Sequence, residues 1–324
     1  MVKLNLVQAI NLALKQEMEK DETVIILGED VGKNGGVFRV TEGLWQQFGD
    51  NRVIDTPLAE VGIISVSIGL AIAGMKPVAE VQFDGFSLPM LDQLYNHAGR
   101  MRKRSQGRWH VPLTLRVPHG GGIRALEHHS ESVEAFFTHI PGIKVVTPSG
   151  PYNAKGLLIS SIRDPDPVVF LEPKRIYRAI KEEVPEEEYT IPLLNSQVVQ
   201  EGSDVTVIGW GAMIKTIKEA VEQLQGKYSV EIVDLLTLYP LDEKTVIDSV
   251  KKTGRCVIVQ EAPKTCGFAA ELIARINEKA LLSLEAPVQR VTGYDIPVPL
   301  PKLENYYIPD VTRINKAIEN VMSF

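Results

Sequence analysis

The sequence has little cysteine, no long apolar run and no excess of positive charge. Only Cys256 and Cys266 occur among its 324 residues, too few for a disulfide framework, and this favours an intracellular protein. No apolar run approaches the roughly 20 residues of a membrane span. The formal net charge of −6 argues against nucleic-acid binding, because neutralising phosphates requires a positive excess. These absences predict a soluble protein without a membrane segment.

The length and overall composition are ordinary for a globular protein. A chain of 324 residues predicts two domains, and 44% apolar with 23% charged residues is enough to build their cores. The first 22 residues are amphipathic, but they soon become charged, contain acids and lack a cleavage site after an apolar stretch. We therefore expect a cytoplasmic protein, or a mitochondrial matrix protein only if a presequence was removed.

Short apolar strand patterns alternate with helical patterns along the chain. The first part predicts strands at 23–27, 53–54, 78–83, 113–117, 143–146 and 168–171, and helices at 4–18, 61–74 and 150–163. The charged, proline-containing segment 181–192 predicts an exposed linker. After it come strands at 205–208, 230–235, 256–260 and 288–291, and helices at 212–225, 242–251 and 267–279. This alternation predicts α/β domains with mostly parallel sheets.

The segment 55–62, DTPLAEVG, places one carboxylate at the start of an apolar, small-residue stretch. Small side chains over 61–74 let another backbone or a flat ligand approach closely. Burying a lone Glu60 would be costly without a partner, so it either meets a specific ligand or remains a solvated carboxylate at a helix start. The pattern alone favours the solvated carboxylate.

All six histidines lie between positions 97 and 139. Metal binding is the first alternative, but their spacing contains no paired-histidine zinc motif and no cysteine lies nearby. We single out His129 because it follows the glycine-rich turn at 120–122 and precedes Ser130. The pattern fits a ligand-binding loop and a structural histidine held by serine hydroxyls equally well.

Two further turns are candidate sites. The turn at 28–36 matches neither phosphate-binding glycine motif, and it brings Glu29 to the carboxyl end of a strand, where α/β proteins place ligands. The turn at 161–167 contains two prolines and two acids. Its oxygens suit either a rigid turn, which the pattern favours, or a hard monovalent cation. The basic run at 101–108 is more typical of a partner contact or a solvated face than of a nucleic-acid site.

Segments spread over essentially the whole chain together resemble one family. They are GEDVG at 28–32, GGVF at 35–38, DTPLAE at 55–60, QF at 82–83, HS at 129–130, PGIKVV at 141–146, AKGLL at 154–158 and KTGR at 252–255. The sequence resembles the beta subunit of thiamine-diphosphate-dependent 2-oxo acid dehydrogenases, the decarboxylating component of large acyl-transferring complexes. The resemblance implies a transketolase-like pyrimidine-binding domain over 1–185, a linker over 186–200 and a transketolase C-terminal-like domain over 201–324.

The resemblance also gives meaning to a missing motif. Relatives bind the cofactor's diphosphate and Mg²⁺ through Gly-Asp-Gly followed by an Asn, and Gly-Asp-Gly does not occur in this sequence. This implies that the chain holds half of a thiamine diphosphate site and that an alpha subunit supplies the other half with Mg²⁺. The implied enzyme is an α2β2 heterotetramer, inactive without alpha, whose further partners are the lipoyl and subunit-binding domains of the acyltransferase core.

Carried over residue by residue, the resemblance implies a role for five side chains. Glu60 would bind the ring nitrogen of the aminopyrimidine and start the proton relay that removes the thiazolium C2 proton. Phe86 would pack on that ring, and Leu58 and Gln82 would line the pocket. His129 would lie near the reacting centre and assist reductive acylation of the lipoyl group.

The resemblance implies an ion site and a docking surface as well. The residues that match the family's potassium site are Leu113, Ser161, Ile162, Asp164 and Asp166, although many relatives have Asn in place of Asp166. The acidic groups expected to form a surface for the basic subunit-binding domain are Glu285, Asp295, Glu304, Asp310, Glu319 and the terminal carboxylate of Phe324.

The substrate expectation rests on segments 134–137, 170–178, 201–206 and 291–295, which resemble branched-chain members more than pyruvate members. Branched-chain 2-oxo acids are therefore the first expectation, with pyruvate or acetoin as the alternative. A non-catalytic assembly scaffold with the same fold is a different class of function, and the intact Glu60 and His129 favour the catalytic subunit over it. Transketolase and deoxysugar-phosphate synthase are a third possibility, but they join both halves of the site in one longer chain.

Overall fold

Strands and helices alternate in the first half of the chain, as the hydrophobic pattern predicts. The computed structural model describes residues 1–224 and 226–324. The strands of the first half are β1 (Val2–Leu4), β2 (Val24–Gly28), β3 (Val53–Asp55), β4 (Lys76–Glu80), β5 (Thr114–His119), β6 (Lys144–Val146), β7 (Val168–Pro173) and β8 (Glu182–Val184). The helices are α1 (Leu6–Lys20), α2 (Leu44–Phe48), α3 (Glu60–Ile72), α4 (Leu91–Asn96), α5 (Met101–Arg104), α6 (Glu134–Thr138) and α7 (Pro151–Arg163). Three-residue and longer 3₁₀ helices lie at Asp84–Met90, Ala98–Arg100 and Lys174–Ile176.

The second half repeats the alternation. Its strands are β9 (Gln197–Gln200), β10 (Val205–Gly209), β11 (Val230–Asp234), β12 (Thr237–Tyr239), β13 (Cys256–Pro263) and β14 (Gln289–Gly293). Its α-helices are α8 (Met213–Gln223), α9 (Glu243–Thr253), α10 (Phe268–Ala280), α11 (Glu304–Tyr307) and α12 (Val311–Met322), and a 3₁₀ helix spans Leu281–Ser283. The helix predicted over 212–225 thus ends earlier, and its last predicted residue, Gln225, lies outside the described residues.

Two sheets organise these elements. The first contains seven strands in the order β12-β6-β7-β5-β4-β2-β3, and the second contains five in the order β14-β13-β10-β11-β9. Neighbours are parallel except at the β12 and β9 edges, where pairing is antiparallel. Helices cover both faces of each sheet, with α1 and α7 on one face of the first sheet and α3 on the other. This cover explains the continuous apolar runs of the central strands, because neither of their faces meets water.

The two halves are less separate than the sequence suggests. β12 comes from the second half but pairs with β6 at the edge of the first sheet, where Thr237 lies opposite Val146. β9 begins within the predicted linker 186–200 and pairs with β11. No helix in the described ranges combines the length and apolarity that a membrane span needs.

The expectation of an exposed linker over 181–192 is wrong for several residues. β8 pairs with β1, and Val184 and Ile191 are buried. The ammonium of Lys155 donates to the carbonyls of Pro185 and Glu187 at 2.6 and 2.8 Å. The glutamate-rich composition predicts that this segment is exposed to solvent. Its backbone carbonyls instead accept hydrogen bonds from the buried Lys155 ammonium, and composition alone cannot indicate such a contact.

A buried ion cluster ties three central strands together. Arg116 on β5 donates two hydrogen bonds to the Glu172 carboxylate on β7, at 2.6 and 3.0 Å, and one to Glu80 on β4 at 2.6 Å. Burial alone would lower the pKa of Arg116, but the charges of Glu172 and Glu80 raise it overall. Burial raises the pKa of Glu80 in spite of the arginine. The cluster is stable only while all three partners are present.

Replacing Arg116 by Met should therefore destabilise the protein strongly. The change leaves two buried carboxylates without their cation, and we expect the free energy of unfolding to fall by about 3–5 kcal/mol. Denaturant unfolding followed by circular dichroism measures it, with the exposed Arg108→Met as the matched control. Because burial raises the pKa of Glu80, its carboxyl group should become protonated as the pH is lowered. The variant's loss of unfolding free energy should then be smaller at low pH. A loss no larger than that of the control would show that the cluster contributes little.

Candidate functional site

The carboxyl ends of neighbouring strands bring the candidate residues to one edge of the first sheet. β2 lies between β3 and β4, so the segments that follow these strands are adjacent. Asp55, the last residue of β3, accepts hydrogen bonds from the backbone N–H groups of Gly32 and Lys33 at 2.6 and 3.1 Å. A Cβ at Gly32 would lie 2.7 Å from an Asp55 oxygen, so only glycine fits there. The turn at 28–36 is thus held in place by the first residue of the DTPLAE segment.

Glu60 and Glu29 form a pair of acids at this edge. Glu60 is the first residue of α3 and is half-buried, and Glu29 follows β2 and is buried. Burial raises the pKa of Glu29, and the nearby charge of Glu60 raises it further. Within residues 1–224 and 226–324, one Glu29 oxygen is buried without a hydrogen-bond partner. Two close carboxylates, one of which retains its proton to higher pH, can hold and pass a proton at a ligand's basic nitrogen.

The structure brings Gln82 to the turn that carries Glu29 and Asp30 but leaves Leu58 exposed. The side-chain amide of Gln82 donates to the carbonyl of Glu29 at 3.4 Å and to the carboxylate of Asp30 at 3.3 Å. Leu58 is 80% exposed, so this chain does not enclose it in a pocket. The predicted pocket-lining role of Leu58 requires a second molecule and stays a prediction.

His129 packs against two aromatic rings that also contact each other. Its ring centroid lies 4.3 Å from that of Phe83 and 5.1 Å from that of Phe86. Its Nδ1 lies 2.7 Å from the carbonyl oxygen of Glu127. Because a carbonyl only accepts hydrogen bonds, Nδ1 carries a proton, and Nε2 keeps its lone pair when the imidazole is neutral. The predicted residues Phe86 and His129 are therefore together, and Phe83 joins them.

The 3₁₀ helix at Asp84–Met90 makes this contact possible. A Cβ at Gly85 would lie only 2.2 Å from the carbonyl oxygen of His128, so the two backbones touch there. Phe83 belongs to the QF segment at 82–83, and the sequence predicts no separate role for it. The signal for its role is its place three residues beyond the end of β4, next to Gln82.

The residues predicted to bind potassium lie around the end of α7 and the start of β7: Leu113, Ser161, Ile162, Asp164 and Asp166. Their acids already meet cations of the chain, because Lys144 lies 2.7 Å from the Asp164 carboxylate and Arg102 lies 2.8 Å from that of Asp166. The backbone N–H of Asp166 donates to the Asp164 side chain at 2.9 Å. This is the geometry of a rigid turn, and potassium binding stays a prediction. Among the described residues, no group of three or more His, Cys, Asp or Glu is placed to hold a metal ion.

A buried polar network beneath the site was missed by sequence reasoning. His119, at the end of β5, lies with its Nδ1 2.9 Å from the Asp84 carboxylate and its Nε2 3.6 Å from Glu134. Burial alone would lower the pKa of His119, but its bond to Asp84 and the nearby acids raise it overall. Burial raises the pKa of Glu134 and of Glu261. His119 is the last residue of β5 and is followed by three glycines. This position in the sequence is the signal that could have indicated the buried network.

One member of the predicted acidic docking surface is misplaced. Glu304 is 1% exposed and accepts hydrogen bonds from residues 122, 124 and 130, so its assignment to a docking surface is wrong. Glu285 and Glu319 do lie at the surface, paired with Arg255 and Lys227. Sequence position near the C-terminus cannot distinguish a surface acid from one that reaches across to the other half of the chain.

Comparisons with known proteins agree with this architecture. Residues 2–180 match the family model of the transketolase pyrimidine-binding domain, and residues 195–314 match that of the transketolase C-terminal domain. A solved chain described as a split gene transketolase, inactive beta4 tetramer, has a TM-score of 0.80 at 19% identity. The alignment covers 99% of this chain and 98% of that chain. The predicted transketolase-like α/β fold is confirmed.

Three sequence relatives carry the same name. A protein of Acholeplasma laidlawii named pyruvate dehydrogenase E1 component subunit beta is 55% identical over 319 residues, which is 98% of each chain. Proteins with the same name from Bacillus subtilis (strain 168) and Staphylococcus aureus (strain Mu50 / ATCC 700699) are 50% and 49% identical over 325 residues, with both chains fully covered.

The buried acid Glu29 generates a prediction on pH. Its raised pKa means that its contribution to stability is present below the ordinary value near 4.5 and is lost as the pH rises through the raised value. Glu29→Gln should therefore gain thermal stability relative to the parent as the pH rises from about 4.5 to 8. Melting temperatures across this range measure the gain, with the exposed Glu22→Gln as control. Parallel curves for the parent and Glu29→Gln would contradict the raised pKa.

Proposed function

The chain belongs to the transketolase-like family of thiamine-diphosphate-dependent 2-oxo acid dehydrogenase beta subunits, and from this membership we propose that it decarboxylates pyruvate together with an alpha subunit and acylates a lipoyl group. The family predicted from the sequence motifs is thereby confirmed. The observation that carries the choice of pyruvate is the identity of about half of all positions, over nearly the full length, with three subunits that bear that name.

Pyruvate was the alternative in the sequence analysis, after branched-chain 2-oxo acids. The segments that favoured branched-chain members lie partly in the cores of the sheets: Phe170 and Leu171 are fully buried in β7, and Val291 is buried in β14. Side chains in such positions report how the sheets pack and do not contact a substrate at the Glu60 edge. The names of the relatives therefore weigh more than these segments.

The geometry of the Glu60 edge fits half of a thiamine diphosphate site. Glu60 would hold the ring nitrogen of the aminopyrimidine, and Phe86 would pack on its face. The unpartnered oxygen of Glu29 and the exposed Leu58 are what an edge completed by an alpha subunit would present. When bound, thiamine diphosphate supplies a centre that stabilises the carbanion left by decarboxylation. Since Gly-Asp-Gly does not occur in this chain, we assign the diphosphate and Mg²⁺ to the alpha subunit.

Each side chain of the site has a defined task in this proposal. The Glu60 carboxylate holds a proton at the ring nitrogen, and the neighbouring Glu29, with its raised pKa, can supply and recover that proton. His129 presents Nε2 for proton transfer, because its Nδ1 proton is held by the carbonyl of Glu127. The rings of Phe83 and Phe86 pack against the half-buried imidazole and would orient it.

The proposal includes assembly. We propose an α2β2 heterotetramer that docks on the acyltransferase core through surface acids, with Glu304 removed from that set. The acids that stay in the proposed set are Glu285, Asp295, Asp310, Glu319 and the terminal carboxylate of Phe324. A potassium ion near Asp164 would share that carboxylate with Lys144, so we propose the ion as a structural adjunct rather than as part of the chemistry.

The substrate is tested with heterotetramer reconstituted from this chain and its alpha subunit. We expect kcat/KM for pyruvate to exceed that for 3-methyl-2-oxobutanoate by about tenfold or more, since extra methyl groups must be accommodated in a pocket built for a smaller acyl group. The chain without alpha is the control and should not turn over. Equal or reversed preference would overturn pyruvate as substrate, and turnover without alpha would overturn the two-chain site.

Glu60 is tested by Glu60→Gln in the same heterotetramer. Because a glutamine cannot hold the relay proton, we expect exchange of the cofactor's C2 proton to slow by about 10²- to 10⁴-fold, the usual contribution of a general acid–base group. Proton exchange followed by NMR measures it, size-exclusion chromatography checks assembly, and Glu22→Gln serves as control. Exchange at the parental rate would remove Glu60 from the mechanism.

A further inference from the structure

The loop that carries His129 has an unusual backbone. The His129 loop, residues 120–130, leaves the end of β5 and returns toward α6. Two of its glycines, Gly120 and Gly122, have positive φ of 74° and 88°. Two residues with side chains, Arg124 and His128, also have positive φ, of 56° and 64°. Such a backbone is costly for residues with a Cβ and persists only where other contacts hold it.

Three of the contacts that hold this loop come from one carboxylate in the second half of the chain. Glu304, the first residue of α11, is buried and receives three hydrogen bonds from the loop. One of its oxygens accepts from the backbone N–H of Gly122 at 2.9 Å and from the hydroxyl of Ser130 at 3.0 Å. The other accepts from the backbone N–H of Arg124 at 2.9 Å. The donors lie at both ends of the segment that contains His129, so the carboxylate closes it.

Two of the loop's three glycines, Gly120 and Gly121, lie close to buried acids of the second half. A Cβ at Gly121 would lie 2.8 Å from a Glu304 oxygen, and a Cβ at Gly120 would lie 2.8 Å from an oxygen of Glu261 on β13. Glu261 also accepts the backbone N–H of Gly121. Close approach of two buried acids, both from the second half of the chain, is therefore what the glycine-rich turn permits.

We infer that Glu304 is the positioning residue for His129: its carboxylate clamps the His129 loop and thereby keeps the imidazole against Phe83 and Phe86. The inference rests on the proposed role of His129 in lipoyl acylation. Glu304 acts through the loop and contacts no reacting group itself. A carboxylate suits the task because both oxygens accept, and bonds to an ionised acceptor are stronger than neutral ones.

Amide hydrogen exchange tests the clamp without reference to activity. In the reconstituted heterotetramer with thiamine diphosphate, Glu304→Ala should speed exchange of the Gly122 and Arg124 amides by about tenfold or more, because each loses a bond to a charged acceptor. Glu278→Ala, which removes an exposed acid from α10 of the same half, is the matched control and should leave both amides unchanged. Unchanged exchange in Glu304→Ala would overturn the clamp.

Graded variants protect the test against a folding failure. Glu304→Gln keeps the shape but turns an amide N–H₂ toward one of the loop donors, and Ser130→Ala removes a single donor. If Glu304→Ala does not assemble, faster exchange in both milder variants supports the clamp, and exchange at the parental rate in both overturns it.

Kinetics tests whether the clamp serves His129. Glu304→Ala should lower acylation of the lipoyl domain about 10- to 100-fold and change decarboxylation with an artificial electron acceptor less than about threefold. Combining it with His129→Ala should add no further loss to that of His129→Ala alone, because Glu304 acts through His129. Equal losses in both assays, or losses that multiply in the double variant, would overturn the positioning role.

The failure of the proposed function has a separate signature. His129→Ala acylating the lipoyl domain at the parental rate would overturn the proposed role of His129, and with it the catalytic part of this inference. The exchange measurement does not depend on that outcome, because it reports only whether Glu304 holds the loop.

Discussion

The buried cation of Arg116 is the constraint on which the site depends. It joins β4, β5 and β7 through the carboxylates of Glu80 and Glu172 in a region without water, where an unpaired charge would be very costly. The three strands therefore cannot slide relative to one another. β4 leads into Gln82 and Phe83, and β5 into His119 and the His129 loop. β7 leads into Lys174, whose ammonium lies 3.6 Å from the carboxylate of Asp84. The ion cluster thus sets the mutual positions of groups that are far apart in sequence.

A second constraint joins the two halves of the chain. β12 extends the first sheet, and Glu261 and Glu304 reach from the second half into the loop that follows β5. The acids are buried and bonded to backbone N–H groups, so separating the halves would leave donors and acceptors unsatisfied in both. The second half therefore acts as the support of the His129 loop, in addition to any role in binding other subunits.

The edge of the first sheet near Glu60, unlike the contact between the two halves, has buried and exposed groups that this chain leaves unsatisfied within the described residues. Glu29 is buried close to a like charge, one of its oxygens has no partner within the described residues, and Leu58 projects into solvent. Such features reduce the stability of an isolated chain, and they are typical of positions kept for function. An incomplete edge of this kind is consistent with a site that a second subunit and a cofactor complete.

The sequence by itself determined the alternation of strands and helices, the place of Glu60 at a helix start and the family, because hydrophobic period and short motifs are local properties. Only the tertiary structure decided that β12 joins the first sheet, that the carbonyls of residues 185–187 surround the Lys155 ammonium, that His119 anchors a buried network and that Glu304 is an internal acid. The reason is distance along the chain: Gly122 and Glu304 are 182 positions apart. Whether such residues meet depends on how the sheets pack, and an acid that will be buried by a distant loop has the same local sequence signature as one that will face water.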